Sequence, residues 1–220
     1  MVELRKRKAP TQLPSAEKKT KKSREPAKAS AQSSNKQKPA TPATTPTCPV
    51  VGDTIALDGF GGEIELDDGT KTTLKQLVEE SKSGVVLFTY PRASTPGCTK
   101  QACMFRDKHD QLISTGLAIY GLSADSTKAN TSFKTKQNLP YPLLCDTAST
   151  LISAIGFKKV PKGTTRGVFA VDKEGEVLLL QPGGPDATVD AVERLVSMRS
   201  QRDQGETGDE TGVSPGKSTN

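Results

Sequence analysis

The sequence has no tryptophan and a single histidine, and aromatic residues make up 4% of its 220 residues. A Ser/His/Asp hydrolase needs a histidine base beside a hydroxyl nucleophile, and the one histidine, His109, has no recognisable nucleophile elbow nearby. The four cysteines do not form the paired CxxC units typical of zinc sites, and a glycine-rich phosphate loop is absent. We therefore expect neither a metal ion nor an organic cofactor.

Long apolar runs are missing as well. No segment approaches the length of a transmembrane helix, and the apolar segment of a secretory leader does not follow the first charged residues. We therefore expect a soluble protein that acts inside the cell and not in a membrane.

Positive charge is concentrated at one end of the chain. The formal net charge is +6, and residues 1–47 contain twelve Lys and Arg against three Glu, with no aromatic residue. Such a segment cannot bury enough apolar surface to offset the entropy lost on ordering. The composition predicts three parts: a disordered basic tail and linker (1–49), one folded domain (50–199) and a disordered polar tail (200–220).

Two basic clusters separated by nine residues stand in the first tail. Their members are Arg5, Lys6, Arg7 and Lys8, and then Lys18, Lys19, Lys21 and Lys22. This spacing resembles a bipartite nuclear localisation signal, so we expect a nuclear protein. A second, cytoplasmic pool of the protein is compatible with this expectation. Basic clusters also make weak, non-specific contacts with nucleic acid. Whether the tail binds DNA or only directs import is left open.

One stretch of the chain has the pattern of a strand, a turn and a helix. The continuous apolar run 85–90 indicates a strand that is buried on both faces. Pro91 and Pro96 stiffen the following turn because each fixes its own φ. The next segment favours a helix over 99–114. The sequence therefore places a thiol, Cys98, at the bend between strand and helix.

Cys98 is a candidate nucleophile because unpaired N–H groups and the positive dipole end at a helix start favour a thiolate. Thr95 lies three residues earlier, where its hydroxyl can reach the sulfur or a substrate oxygen. The alternatives are a buried structural cysteine and a simple helix cap. A phosphatase loop is excluded, because it needs an arginine six residues after the cysteine and that residue is Met104.

Cys103 follows Cys98 by five residues on the same predicted helix. Helix geometry separates two such Cα atoms by roughly 8.6 Å, whereas a disulfide needs Cα atoms closer than about 7 Å. The two thiols can therefore form a bond only if the turn between them unwinds. Such a disulfide would be labile and reversible.

The remaining pattern predicts an α/β protein. Further strands are expected at 54–57, 63–66, 71–73, 117–123, 142–146, 167–171 and 177–181, and further helices at 74–81, 127–137, 150–155 and 187–198. Two βα crossovers followed by a hairpin and a helix fit a thioredoxin-like three-layer sandwich with a central mixed sheet. In such sheets the loop that carries Cys98 lies at the carboxyl ends of parallel strands, where ligands bind.

The residues of this loop resemble a known family. Pro91, Thr95 and Cys98 match the P-x-x-x-T-x-x-C pattern of peroxiredoxins, and TPGCT followed by Cys103 and FRD is similar to the bacterioferritin-comigratory or peroxiredoxin Q subfamily. With its basic tail, the chain resembles fungal nuclear thiol peroxidases. The resemblance covers residues 52–198.

The resemblance implies a role for each of these residues. Cys98 would be the peroxidatic cysteine and Cys103 the resolving cysteine, Thr95 would orient thiolate and peroxide, and Pro91 would shield the site. The distant arginine of the family corresponds to Arg166 in TTRGVFAVD.

The implied activity is reduction of hydrogen peroxide or alkyl hydroperoxides by a monomeric enzyme. The resulting Cys98–Cys103 disulfide would be recycled by thioredoxin.

Other interpretations stay open at this point. Arg166 can be a surface ion-pair residue, and we expect Arg106 to pair with Asp107 or Asp110. Cys48 and Cys145 are expected to have no part in the chemistry, with Cys145 packed at a strand end. A second functional hypothesis is a nuclear redox sensor or chromatin-associated binding protein that uses the basic tail.

Overall fold

A seven-stranded mixed sheet lies at the centre of the computed structural model, which describes residues 48–205. The two basic clusters, and most of both predicted tails, lie outside the described residues. The strands are β1 (Glu63–Leu66), β2 (Lys71–Thr73), β3 (Gly84–Thr89), β4 (Leu117–Ser123), β5 (Leu143–Cys145), β6 (Gly167–Asp172) and β7 (Val177–Pro182). The helices are α1 (Leu74–Glu80), α2 (Pro96–Asp107), α3 (His109–Leu112), α4 (Thr127–Gln137), α5 (Thr150–Ala154) and α6 (Pro185–Gly205).

The strands follow the order β2-β1-β5-β4-β3-β6-β7. β3 pairs with β4 and β4 with β5 in parallel, whereas every other pair in the sheet is antiparallel. The parallel pairs are joined by α2 and α4, as expected for two βα crossovers, and β6 and β7 form the predicted hairpin. The loop after β3 therefore opens at the carboxyl end of a central strand.

Strand β3 separates the two halves of the core. Its six residues are all buried, and successive side chains point to opposite faces of the sheet. Val86 and Phe88 pack in the core that includes α2, α4 and α6, whereas Val85 and Leu87 pack in the core that includes α1 and α5. Helices on both faces of one sheet make three layers, so the predicted thioredoxin-like sandwich is confirmed.

Several predicted boundaries shift by one or two residues, and the larger differences are the following. Residues 54–57 are not a strand: Thr54 forms a single bridge to Glu176, because this segment lies against the turn of the β6–β7 hairpin, where few backbone groups face it. The helix after the cysteine loop begins at Pro96, since proline fits the first helical position, and it is interrupted at Lys108.

The last helix, α6, is longer than predicted and ends at Gly205, so residues 200–205 are helical and not part of the tail. The segment between Met198 and Gly205 contains no proline or glycine to end the helix. Along residues 48–205, each helix is too short or too polar to cross a bilayer.

A buried hydrogen-bond network joins β3, β4, β5 and α4 beside the cysteine loop. The Asn130 side chain accepts a hydrogen bond from Tyr90 Oη at 3.0 Å, and its Nδ2 donates to Cys145 Sγ at 3.1 Å and to Ser123 Oγ at 3.3 Å. Burial raises the pKa of the Cys145 thiol to about 11 and also raises the pKa of the Tyr90 hydroxyl. Cys145 lies at the end of β5, as predicted, and stays a neutral thiol at neutral pH.

We expect the free energy of unfolding to fall as the pH rises from about 9 to about 11, because the unfolded Cys145 thiol loses its proton in this window while the folded one keeps it. The slope due to this group approaches about 1.4 kcal/mol per pH unit. Urea unfolding of the wild type and Cys145→Ser at several alkaline pH values measures it. Serine does not titrate there, so the variant should lose less stability. Cys48→Ser, at an exposed site, is the matched control, and equal slopes for wild type and Cys145→Ser would contradict the prediction.

Candidate active site

Cys98 is the third residue of helix α2 and is only 1% exposed. Thr95 occupies the N-cap position without a capping hydrogen bond from its side chain. Its hydroxyl donates to the backbone oxygen of Arg92 at 3.0 Å. The sulfur therefore lies in the first helical turn, where backbone N–H groups have no partner within the helix. Such groups stabilise negative charge.

The loop before α2 is held from the side of β4. Tyr90 N–H donates to the backbone oxygen of Leu122 at 3.1 Å, and Ala93 N–H donates to Asp125 Oδ2 at 2.7 Å. Ser126 occupies the N-cap position of α4, and the carboxylate of the preceding residue, Asp125, holds the cysteine loop.

Arg166 is the residue immediately before β6, the strand next to β3, and its side chain reaches the Cys98 sulfur. Its Nη2 lies 3.3 Å from Cys98 Sγ, and its Nη1 donates to Gln101 Oε1 at 2.6 Å and to the backbone oxygen of Gly97 at 3.2 Å. The structure thus brings together Cys98 and the arginine that is 68 residues away in the chain. The guanidinium thus places a positive charge and a hydrogen-bond donor beside the sulfur.

The backbone around Arg166 is also fixed. Thr89, the last residue of β3, donates its hydroxyl to the backbone oxygen of Thr165 at 2.8 Å and contacts that of Gly167 at 3.3 Å. These residues flank Arg166 on either side. On the helix side, a Cβ at Gly97 would lie 3.3 Å from Arg166 Nη2, so a residue without a side chain leaves room for the guanidinium.

Gln101 was not singled out from the sequence. It is fully buried on α2, and its Nε2 donates to Thr188 Oγ1 of α6 at 3.1 Å while its Oε1 accepts from Arg166. The available signal was its position three residues after Cys98, which places both side chains on one face of the helix. No comparable signal marks Thr188, since its neighbours in the site are distant in sequence.

Cys103 lies on the same intact helix and is partly buried. Its Sγ is 3.5 Å from Gln137 Oε1 at the end of α4. All four cysteines lie within the described residues and are free thiols there. The turn between Cys98 and Cys103 is fastened to the core, because Tyr141 Oη donates to the backbone oxygen of Ala102 at 2.6 Å.

The next turn of α2 is also packed. The Phe105 ring stacks on Phe88 with 4.3 Å between ring centroids. Arg106 pairs with Asp107 at 2.8 Å, as predicted, and donates to the backbone oxygen of Gln137 at 2.7 Å. Unwinding this part of the helix would break each of these contacts.

The other candidate residues have simpler surroundings. Pro91 is exposed at the beginning of the cysteine loop, and Cys48 is exposed at the beginning of the described segment. Among residues 48–205, no group of three or more His, Cys, Asp or Glu side chains could hold a metal ion. The arrangement provides one sulfur that lies beside a guanidinium at the start of a helix, and this geometry suits attack by a thiolate.

Comparison with known proteins agrees with this chemistry. The model of the AhpC/TSA family matches residues 60–179. The chain is 45% identical over 93 residues to peroxiredoxin bcp1 of Schizosaccharomyces pombe, an alignment that covers 42% of this chain and 47% of that protein. It is 36% identical over 132 residues to peroxiredoxin Bcp of Bacillus subtilis, which covers 57% of this chain and 83% of that protein.

A solved structure has the same fold. The crystal structure of peroxidoxin BcpB from Mycobacterium tuberculosis superposes with a TM-score of 0.60 at 31% identity, covering 67% of this chain and 96% of that chain. The family model covers more than half of this chain, including the cysteine loop and Arg166. The chain therefore belongs to the AhpC/TSA family, as a peroxiredoxin of the Bcp and Q type, and the peroxiredoxins are thiol peroxidases, which are oxidoreductases.

Proposed function

We propose that this protein reduces hydrogen peroxide and alkyl hydroperoxides with Cys98 as the attacking thiolate. The observation that carries the proposal is the contact of 3.3 Å between Arg166 Nη2 and Cys98 Sγ at the first turn of α2. The thiolate attacks one peroxide oxygen, the O–O bond breaks, and the leaving oxygen takes up a proton as water or alcohol. Cys98 becomes a sulfenic acid.

Charge on the leaving oxygen must be stabilised as the O–O bond breaks. Arg166 Nη2, at 3.3 Å from the sulfur, and the N–H groups of the first turn of α2 are the donors that the site provides. The Thr95 hydroxyl donates to Arg92, and its lone pairs remain available to accept a hydrogen bond from the protonated peroxide oxygen. Pro91 limits access of water at the start of the loop.

Cys103 then resolves the sulfenic acid in this proposal. Its thiol attacks the Cys98 sulfur, a disulfide forms and water leaves. Because roughly 8.6 Å separate Cα atoms five residues apart on an intact helix, the Tyr141–Ala102 and Arg106–Gln137 contacts must break first. Thioredoxin reduces the disulfide by thiol–disulfide exchange, which completes the cycle. In this proposal the peroxidase acts as a monomer.

We also propose that the enzyme works in the nucleus, because the two basic clusters have the spacing of a bipartite import signal. A cytoplasmic pool and weak electrostatic contact of the tail with nucleic acid are compatible with this proposal. The alternative, a redox sensor without turnover, differs in consuming only one equivalent of peroxide.

Substitution of the two cysteines separates their roles. Cys98→Ser should abolish peroxide consumption, whereas Cys103→Ser should lose turnover with thioredoxin and its reductase but still react with one equivalent. Intact mass after one equivalent of peroxide should fall by about 2 Da in the wild type and rise by about 16 Da in Cys103→Ser. Cys145→Ser, at a buried cysteine outside the site, is the control. Undiminished turnover of Cys98→Ser would disprove Cys98 as the nucleophile. Full turnover of Cys103→Ser would disprove Cys103 as the residue that resolves the sulfenic acid.

Arg166→Lys keeps the positive charge but loses the fork that contacts Cys98, Gln101 and Gly97 together. The second-order rate constant for oxidation by hydrogen peroxide should fall about 10- to 100-fold. Stopped-flow measurement of the first oxidation step tests this. Arg199→Lys is the matched control, because that arginine contacts the backbone oxygen of Ser83 from α6. Equal rate constants for Arg166→Lys and the wild type would exclude a role for the fork.

Import can be tested with a fusion too large to diffuse through the nuclear pore. Replacing the four basic residues of each cluster by alanine should move the fusion from nucleus to cytoplasm in fluorescence images. The control replaces Lys36 and Lys38, which belong to the same tail but not to the clusters. Nuclear accumulation that survives loss of both clusters would refute the assigned signal.

A further inference from the structure

We infer that Thr188, on the C-terminal helix α6, is a positioning residue that fixes the Gln101 amide so that Arg166 points at Cys98. The inference rests on the proposed role of Cys98. It adds a residue from outside the cysteine loop and outside the sequence pattern of the site.

The direction of each hydrogen bond follows from the number of protons available. Thr188 Oγ1 lies 2.8 Å from the backbone oxygen of Pro185, which can only accept, and 3.1 Å from Gln101 Nε2. A hydroxyl carries one proton, so Thr188 donates to Pro185 and must accept from Gln101. The NH2 end of the amide therefore faces Thr188.

The other end of the same amide then faces the arginine. Gln101 Oε1 accepts from Arg166 Nη1 at 2.6 Å, and Arg166 Nη2 is left 3.3 Å from Cys98 Sγ. With the amide rotated by half a turn, its NH2 group would meet the guanidinium, and two donors would face each other. The Thr188 hydroxyl thus selects the amide orientation that supports Arg166.

Burial makes this selection strong. Gln101 and Thr188 are both 0% exposed, so bulk water cannot replace a missing acceptor. The first turn of α6 is also joined to α2 by the Lys100–Asp186 ion pair at 2.7 Å. Thr188 therefore lies in a helical turn that contacts α2 next to the amide.

Thr188→Val removes the hydroxyl and preserves the shape of the side chain. We expect the rate constant for Cys98 oxidation by hydrogen peroxide to fall about tenfold, the effect of one buried hydrogen bond. The rate constant for alkylation of Cys98 by iodoacetamide at a fixed pH should fall as well, since Arg166 is then held less firmly beside the sulfur. Thr188→Ser should restore both measurements. Thr72→Val, at a buried threonine of the edge strand β2, controls for the substitution itself.

Repeating the Thr188 substitution in a Gln101→Glu protein distinguishes a positioning role of Thr188 from a purely structural one. In Gln101→Glu the side chain has oxygen atoms at both ends, so its orientation no longer matters for Arg166. Adding Thr188→Val to Gln101→Glu should then cause little further loss of rate. Equal losses in both backgrounds would overturn the inference. If Thr188→Val lowers the melting temperature too far for kinetics, Thr188→Ala is measured in the same two backgrounds.

The outcomes separate this inference from the proposed function. A Thr188→Val protein that is oxidised and alkylated at wild-type rates, beside an impaired Arg166→Lys protein, overturns the role of Thr188 and leaves the peroxidase proposal intact. Turnover that persists in Cys98→Ser overturns the peroxidase proposal itself.

Discussion

The hydrogen bond between Arg166 and the Cys98 sulfur depends on a larger part of the structure than any other contact of the site. It requires β3 and β6 to be neighbours, since β3 leads into the cysteine loop and β6 follows the arginine. Gly97, at the start of α2, leaves room for the guanidinium, because a Cβ there would lie 3.3 Å from Arg166 Nη2. The contact therefore couples the sheet, the loop and two helices, and it places a positive charge beside the sulfur of a residue that is 1% exposed.

In the proposed cycle, one part of helix α2 must stay folded while another part must unwind. Its first turn must stay in place, because the position of the sulfur relative to Arg166 depends on it. Its second and third turns carry Cys103 and must open before the two sulfurs can meet. The contacts are distributed accordingly: the first turn is held by Arg166, whereas the later turns are held by aromatic packing and by hydrogen bonds to Tyr141 and Gln137. Gln101 links the two sets, because it lies in the turn between the cysteines and also accepts a hydrogen bond from Arg166, so opening that turn changes the support of the arginine.

The sequence predicted those features that local patterns determine. The buried strand, the thiol at the bend and the antiparallel hairpin follow from apolar runs and turn residues, and the structure contains all three. Arg166 was reached only through resemblance to a family, because nothing in its local sequence distinguishes it from a surface arginine. Thr188 could not have been found, since its contact with Gln101 joins residues 87 positions apart. The strand expected at 54–57 failed for a similar reason, because strand pairing depends on what lies beside the segment in space.

The hydrogen bond from Tyr141 to the helix backbone has a consequence for timing. It is buried, and its donor is a hydroxyl that remains neutral because burial raises the pKa of Tyr141. Within the proposed cycle, the sulfenic acid persists for as long as such contacts keep the later turns of α2 closed. Its lifetime is then a property of the core and not of the reacting sulfurs. After a brief pulse of oxidant, the protein would keep its sulfenic acid for a time set by how often the hydrogen bond between Tyr141 and the Ala102 carbonyl breaks.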